Sequence, residues 1–236
     1  MVTSSLAPAA LPPDERIYAI GDIHGCLDQL DDLHRQIAAD LAARPITRPT
    51  LIHLGDYIDR GPDSAGVLAR LLHPTLPLPT INLIGNHEDM LLAALEGGRG
   101  AAEHWKQNGG VAALESWGIS HRARPADWAH SIPAAEIALI RSLPNSHTSG
   151  GYIFVHAGIR PGTPLAAQTR QDMLWIREPF LSFTGTLPLV AVHGHPPEEP
   201  HPTIRPHRIG IDTGAVLGGP LTCAVLQANT VGFLTA

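Results

Sequence analysis

Cysteine, clustered basic charge and long apolar runs are all scarce in this 236-residue chain, and each scarcity excludes a class of protein. Only Cys26 and Cys223 occur, too few for a disulfide framework and too far apart for a zinc motif, so both are expected as reduced thiols. Lys and Arg number 16 against 22 Asp and Glu, a formal net charge of −6, and no basic run appears. An electrostatic face for nucleic acid is therefore not expected. No stretch approaches the roughly 18 consecutive apolar residues of a membrane span, so no membrane partner is expected. The opening MVTSSLAPAALPPDERIY lacks a basic start, and prolines break its apolar part, so it does not read as a secretory signal. Residues 1–14 are expected to be a disordered tail and the address cytoplasmic. What remains, 44% hydrophobic and 16% charged, suits one globular domain over residues 15–236.

One unit repeats through the first 96 residues. The apolar run Ile17 to Ile20 ends in Gly21-Asp22, and Leu27, Leu30, Leu33, Ile37 and Leu41 then recur at helical spacing. Thr50 to Leu54 ends in Gly55-Asp56 and precedes a helix pattern with Val67, Leu68, Leu71 and Leu72, which Asp63 or Ser64 can cap. Thr80 to Ile84 ends in Gly85-Asn86 and precedes a helix from about Glu88 to Leu95. Strand, polar turn and helix in succession predict an α/β fold whose site lies on the loops after the strands. Residues 97–150 hold Gly-rich breaks, Trp105, Trp117 and Trp128, and short helical patches, and are read as a helical insertion over the site. Strand-length runs follow at Tyr152–His156, Leu189–His193, Arg208–Asp212 and Leu221–Gln227.

Polar residues collect where these strands end. Asp22 and His24 lie in GDIHG, Asp56, Asp59 and Arg60 in GDYIDRG, and Asn86, His87 and Glu88 in GNHE. His156 lies in VHAG, and His193 and His195 in VHGH. A lone Gly-Asp is more often a turn, and a lone His in an apolar run, such as His53, is a packed core residue. The ordered set of five motifs is what points to chemistry. Hard oxygen ligands mixed with imidazole, and no thiolate, suit manganese, iron or zinc. Two Asp, one Asn and three His can hold two ions if one carboxylate bridges, an arrangement that activates water and clamps a phosphoryl oxygen.

The motifs GDIHGC, GDYIDRGPDS, GNHE, HAGI and HGH resemble, in order and spacing, those of the calcineurin-like metallophosphoesterases, phosphoprotein phosphatase branch. The resemblance runs from about Tyr18 to the C-terminus, and MLWIREPF and IDTGAVLGGPL look like segments of small bacterial and phage-type serine/threonine phosphatases. It implies a four-layer α/β/β/α sandwich and two divalent metal ions, with Mn2+ first and Fe or Zn also suited. By position, it implies that Asp22 and His24 bind the first ion, Asp56 bridges both, and Asn86, His156 and His195 complete the second. His195 is preferred to His193 because the family ligand lies in Gly-His-Thr-Pro; here the element is Gly194-His195-Pro196-Pro197, with proline in place of threonine. Arg60 and Arg177 would grip phosphate oxygens, for which a planar guanidinium is suited. His87 would protonate the leaving alkoxide, held and charged by Asp59. Glu88 is read as the start of the following helix, where a carboxylate favours the dipole.

The expected function is phosphomonoester hydrolysis by a metal-activated water, on a phosphoprotein or a small phosphorylated substrate. The alternative is a symmetrical dinucleoside-tetraphosphate hydrolase. That branch has Asn before the Arg and Asp after Gly-Asn-His, where this chain has Asp59 and Glu88. A cyclic-nucleotide phosphodiesterase fits less well, because Pro197 stands where its second His would be. A non-catalytic scaffold on this fold would lack ligands or the acid, and all are present.

Overall fold

A computed structural model describes residues 4–197 and 201–236. The chain opens with β1 (Ser4–Leu6), β2 (Glu15–Ile20), α1 (Leu27–Ala43), β3 (Arg48–His53), α2 (Ser64–Leu72), β4 (Thr80–Asn82) and α3 (Asn86–Leu95). A helical stretch follows: α4 (Ala101–Trp105), a kinked turn (Lys106–Gly110), α5 (Val111–Ser116), α6 (Pro125–Ser131) and α7 (Ala134–Ser142). The remainder is β5 (Ser146–Ser149), β6 (Tyr152–Val155), α8 (Arg170–Trp175), β7 (Val190–His193), β8 (Thr203–Arg205), β9 (Arg208–Gly210), β10 (Thr222–Gln227) and β11 (Thr230–Thr235). No helix among the described residues is long and apolar enough to cross a membrane.

Two sheets form, ordered β1-β11-β10-β2-β3-β4 and β5-β6-β7-β9-β8. Within the first, β2, β3 and β4 run parallel; within the second, β6, β7 and β9 do. Side chains alternate across a strand, so Ile17 and Ala19 of β2 face one way while Tyr18 and Ile20 face the other. The first pair packs with Ile52, Tyr152, Phe154, Val192 and Ile209 into a core between the sheets. Tyr18 and Ile20 join Leu30, Leu33, Val67, Leu91 and Trp105 beneath the helices. On the outer face of the second sheet, Ile153, Val155 and Ala191 pack against Met173 of α8 and Phe180. The result is the expected four-layer α/β/β/α sandwich, whose fourth layer is thin.

The expected disordered tail over residues 1–14 does not hold for residues 4–14; residues 1–3 lie outside the described residues. Strand β1 pairs antiparallel with β11, Ser5 opposite Val231. Leu11 is buried and donates its N–H to Ala228 O, Ala10 O accepts from Gly151 N at 2.9 Å, and Ala9 O accepts from Tyr152 Oη at 2.6 Å. A proline-rich segment has few donors, but its carbonyls and one buried leucine suffice to dock it along the sheet margins.

A buried histidine pair lies beside β3. His53 Nδ1 donates to Asn82 Oδ1 at 2.8 Å, so its Nε2 is free to accept from His34 Nε2 at 3.4 Å. Burial lowers the pKa of His53 from 6.5 to about 3 and that of His34 to about 4. Below pH 6.5 the unfolded chain binds protons that the folded chain refuses, so the stability present above that pH declines as pH falls. Each such histidine steepens the decline by about 1.4 kcal/mol per pH unit. His53→Gln is expected to flatten the pH dependence by about that slope between pH 6.5 and pH 4; denaturant unfolding of both proteins at several pH values checks it.

Candidate metal centre

Six parallel strands, three from each sheet, deliver one polar residue apiece to the same end of the sandwich. Asp22 follows β2, Asp56 follows β3 and Asn86 follows β4; His156 follows β6, His195 follows β7 and Asp212 follows β9. Asp212 was not singled out from the sequence. Its carboxyl accepts from Gly214 N at 3.0 Å, and its charge acts on Asp22. It lies just past a strand like the others, but in Ile211-Asp212-Thr213-Gly214 rather than in the Gly-Asp or Gly-Asn order of the first three turns.

The backbone at this end is unusual. Among the described residues, only His24, Asp56, Asp59, Arg60 and Ala228 are non-glycine residues with positive φ, at 46°, 53°, 74°, 66° and 47°. Such conformations cost about 1–3 kcal/mol each and persist only where the surroundings over-determine them. Glu88 supplies much of that restraint. Its buried carboxylate accepts from Asp56 N and Gly85 N, both at 2.9 Å, and from Tyr57 N at 2.8 Å and Ile58 N at 3.3 Å. The expected helix-starting role is present in the Gly85 bond, but the same carboxylate also ties down the loop that carries Asp56. Asp56 O accepts from Ile23 N and His24 N, at 3.0 and 2.8 Å, which registers the first loop on the second. Glycine is required at position 85, where a Cβ would lie 2.1 Å from Asp56 Oδ1.

The ligand atoms of Asp22, Asp56, His156 and His195 all lie within 4.8 Å of one another, and so do those of His24, Asp56 and His87. Asp56 belongs to both groups, the position of a bridging ligand. Asn86 Oδ1 joins them 2.7 Å from His156 Nε2. The ring tautomers suit cation binding: His24 Nδ1 donates to Ile58 O at 2.8 Å and His156 Nδ1 to Leu54 O at 3.1 Å, which leaves each Nε2 facing inward. Asp22 Oδ1, Asp56 Oδ2, His87 Nε2 and His195 Nε2 are buried without a hydrogen-bond partner. Burial, with the charges of Asp212 and Asp56, raises the Asp22 pKa well above the carboxylate range. Burial also lifts that of Asp56 to about 7, against the pull of the His87 N–H and Arg60. Crowded, buried carboxyls with unsatisfied oxygens are costly alone and favourable around cations. The residues present therefore fit a pair of divalent ions.

A calcineurin-like phosphoesterase model matches residues 15–230 of the chain. The chain belongs to that family. It is 31% identical to serine/threonine-protein phosphatase 1 of Salmonella typhimurium over 219 residues, covering 89% of this chain and 92% of that protein. It is also 31% identical, over 174 residues, to a symmetrical bis(5′-nucleosyl)-tetraphosphatase of an Acidovorax species, covering 74% of this chain and only 50% of that protein, so the chain spans about half of that relative's length. A crystal structure of a candidate diadenosine tetraphosphatase superposes with a TM-score of 0.68 at 24% identity, covering 97% of this chain and 98% of that one, which shows a shared fold.

Around the metal centre of this phosphoesterase stand the remaining expected residues. His87 Nδ1 lies 2.6 Å from Asp59 Oδ2, and its Nε2 points at the centre. Burial, with His24 and Arg60 nearby, pushes the imidazole well below its ordinary pKa, while burial, with Glu88 and Asp56 nearby, pushes the Asp59 carboxyl well above its own. Arg60 is exposed, yet its Nη1 donates to His24 Nε2 at 2.8 Å, the atom a metal would use. Arg177 is exposed with no ion pair or side-chain hydrogen bond among the described residues, and its charge acts on His195, whose pKa burial, His156 and Arg177 lower to about 3. His193 faces elsewhere. Arg208 Nη1 donates to its Nε2 at 3.3 Å, which leaves Nδ1–H to bond the carbonyls of Gly194 and His195 at 3.1 and 3.3 Å, so it steadies the loop that carries His195.

The Arg60 contact makes a prediction. Arg60→Ala removes the expected phosphate clamp and is expected to cost about 2–4 kcal/mol in kcat/KM, by analogy with removed oxyanion donors. It also removes a competitor for the His24 lone pair, so metal affinity is expected to hold or rise. Kinetics and a metal-binding titration of the variant check both halves; loss of metal would mark Arg60 as structural.

Proposed function

We propose that this hydrolase is a metal-dependent phosphomonoesterase acting on phosphoserine and phosphothreonine in proteins, with small phosphomonoesters as further substrates. The observation that carries the reading is the His87–Asp59 pair, 2.6 Å apart beside the metal centre. A serine or threonine alkoxide is a poor leaving group and departs readily only with a proton. Cleavage of a phosphoanhydride releases a phosphate-stabilised anion that has much less need of one. A built proton donor therefore favours the monoester. The relationship to the Salmonella phosphatase, which extends over 89% of this chain, supports the same reading.

In this reading Asp22 and His24 hold one ion, Asp56 bridges, and Asn86, His156 and His195 hold the other, with manganese the preferred metal. The ions, when bound, acidify water and offset phosphate charge. Arg60 and Arg177 orient the phosphoryl oxygens. His87 donates its Nε2 proton to the departing oxygen, and Asp59 keeps the ring aligned through Nδ1. Residues 15–236 act as one domain in the cytoplasm, with residues 97–150 forming one side of the substrate face.

A second reading, hydrolysis of dinucleoside tetraphosphates, is favoured by the 31% identity to the Acidovorax enzyme. Rates on phosphoserine, phosphothreonine and phosphotyrosine peptides and on diadenosine tetraphosphate, measured side by side with manganese, decide between them. Phosphoserine and phosphothreonine peptides are expected to lead. A tetraphosphate rate well above all three peptides would establish the second reading instead.

A further inference from the structure

The loop that carries Asp59 and Arg60 is gripped from outside by one short piece of chain. Trp105, the last residue of α4, is fully buried, and its indole Nε1 donates to both oxygens of Asp59, at 3.0 and 2.8 Å. Four residues on, Gly109 O accepts from Arg60 N at 3.1 Å. Gly109 has φ 110°, and a Cβ there would stand 2.6 Å from Arg60 Cγ. The turn between them is kinked at Gly109, where the backbone leaves helical geometry. The indole is fixed in turn: Trp128 packs edge-on against it with ring centroids 5.4 Å apart. Gly110 lies so close that a Cβ would meet the ring at 2.5 Å.

We propose that Trp105 is a positioning residue for proton donation: its N–H holds the Asp59 carboxylate in the orientation that aligns His87, which makes Trp105–Asp59–His87 a single hydrogen-bonded unit. The proposal rests on the phosphomonoesterase reading and extends it into the helical segment. An indole N–H is a donor only and does not titrate, so it holds an acceptor carboxylate without competing for its proton. Among the described residues, the Asp59 carboxyl is otherwise bonded only to His87, while its main chain donates to Ser64 Oγ at 3.0 Å and accepts from Gly61 N at 2.7 Å. Without the indole bond, the carboxylate keeps its bond to His87 but loses the partner that fixes its plane. The simpler view, that Trp105 only fills the core beneath the helices, predicts a different pattern of losses.

Trp105→Phe keeps an aromatic ring and removes the donor. The expected result is a fall of about 10-fold or more in kcat on a phosphoserine peptide, the size of one lost hydrogen bond to a charged group. On para-nitrophenyl phosphate, whose leaving group needs no proton, the fall is expected to be several-fold smaller, with metal content unchanged. In an Asp59→Asn background the substitution should add little, because both changes break one unit. A measurement independent of turnover accompanies this. The chain has four tryptophans, hence four indole N–H signals in a 15N-labelled sample. One, slow to exchange with solvent, is expected to shift strongly in Asp59→Asn, and this arm needs no Trp105 variant to fold. Equal losses on both substrates, additivity with Asp59→Asn, or indole signals indifferent to Asp59→Asn would overturn the proposal. If the wild-type protein proves inactive on phosphoserine, the functional reading falls, while the indole signals still decide whether Trp105 holds Asp59.

Discussion

Asp56→Asn is expected to lower turnover on the order of 10³-fold or more, the upper end of what one removed transition-state stabiliser costs. It should hurt more than loss of any ligand that serves one ion. Among the described residues, Asp56 is the only one whose ligand atom falls in both ligand groups, so its charge bears on both ions. The substitution has an opposite effect on the empty fold. Asp56 is fully buried, one of its oxygens has no partner, and burial raises its pKa to about 7. The other oxygen accepts from His87 N at 3.0 Å, a bond an asparagine can keep. In chelator, therefore, the variant should unfold at the same temperature as the wild type or higher, and with manganese the order should reverse. Calorimetry with and without metal, beside the kinetics, reads both effects. A variant less stable under both conditions would mean that Asp56 is needed to hold the loop itself.

His87→Asn is expected to separate substrates. Loss of a general acid typically costs about 10²–10⁴-fold, and that loss should appear on phosphoserine and shrink on para-nitrophenyl phosphate. Asp59→Asn should show a milder version, since Asp59 acts through the ring. Metal content decides the meaning of the result. The inward nitrogen of His87 lies within 4.8 Å of ligand atoms of His24 and Asp56, close enough for metal coordination. Retention of both ions with a leaving-group-dependent loss identifies the acid; departure of an ion identifies a ligand.

The candidate metal ligands legible in the sequence share one property: each sits just past an apolar strand, next to a glycine or within a few residues of one. Asp22, Asp56 and Asn86 could be read that way because β2, β3 and β4 are each followed by a helix with clear three- and four-residue spacing. Strands β5, SHTS, and β8, TIR, lie at sheet edges, are short and polar, and carry no alternation to read. The tail joins the sheet through main-chain bonds, which leave no mark on residue type. Glu88 was legible as a helix start but not as the anchor of a loop 30 to 32 residues before it. Trp105 read as an ordinary aromatic in an insertion, because its partner Asp59 is 46 residues away and only the fold brings them together. Local pattern thus reveals what local geometry demands, while the residues that brace the site act through distant contacts.

Ion content and hydrolysis, measured on one sample carried through chelation and stepwise reloading, test the central claim most directly. The account predicts no hydrolysis of para-nitrophenyl phosphate in the metal-free protein, recovery that reaches its full value only as the second ion per chain binds, and best recovery with manganese. Full activity in a sample verified to be metal-free would contradict it.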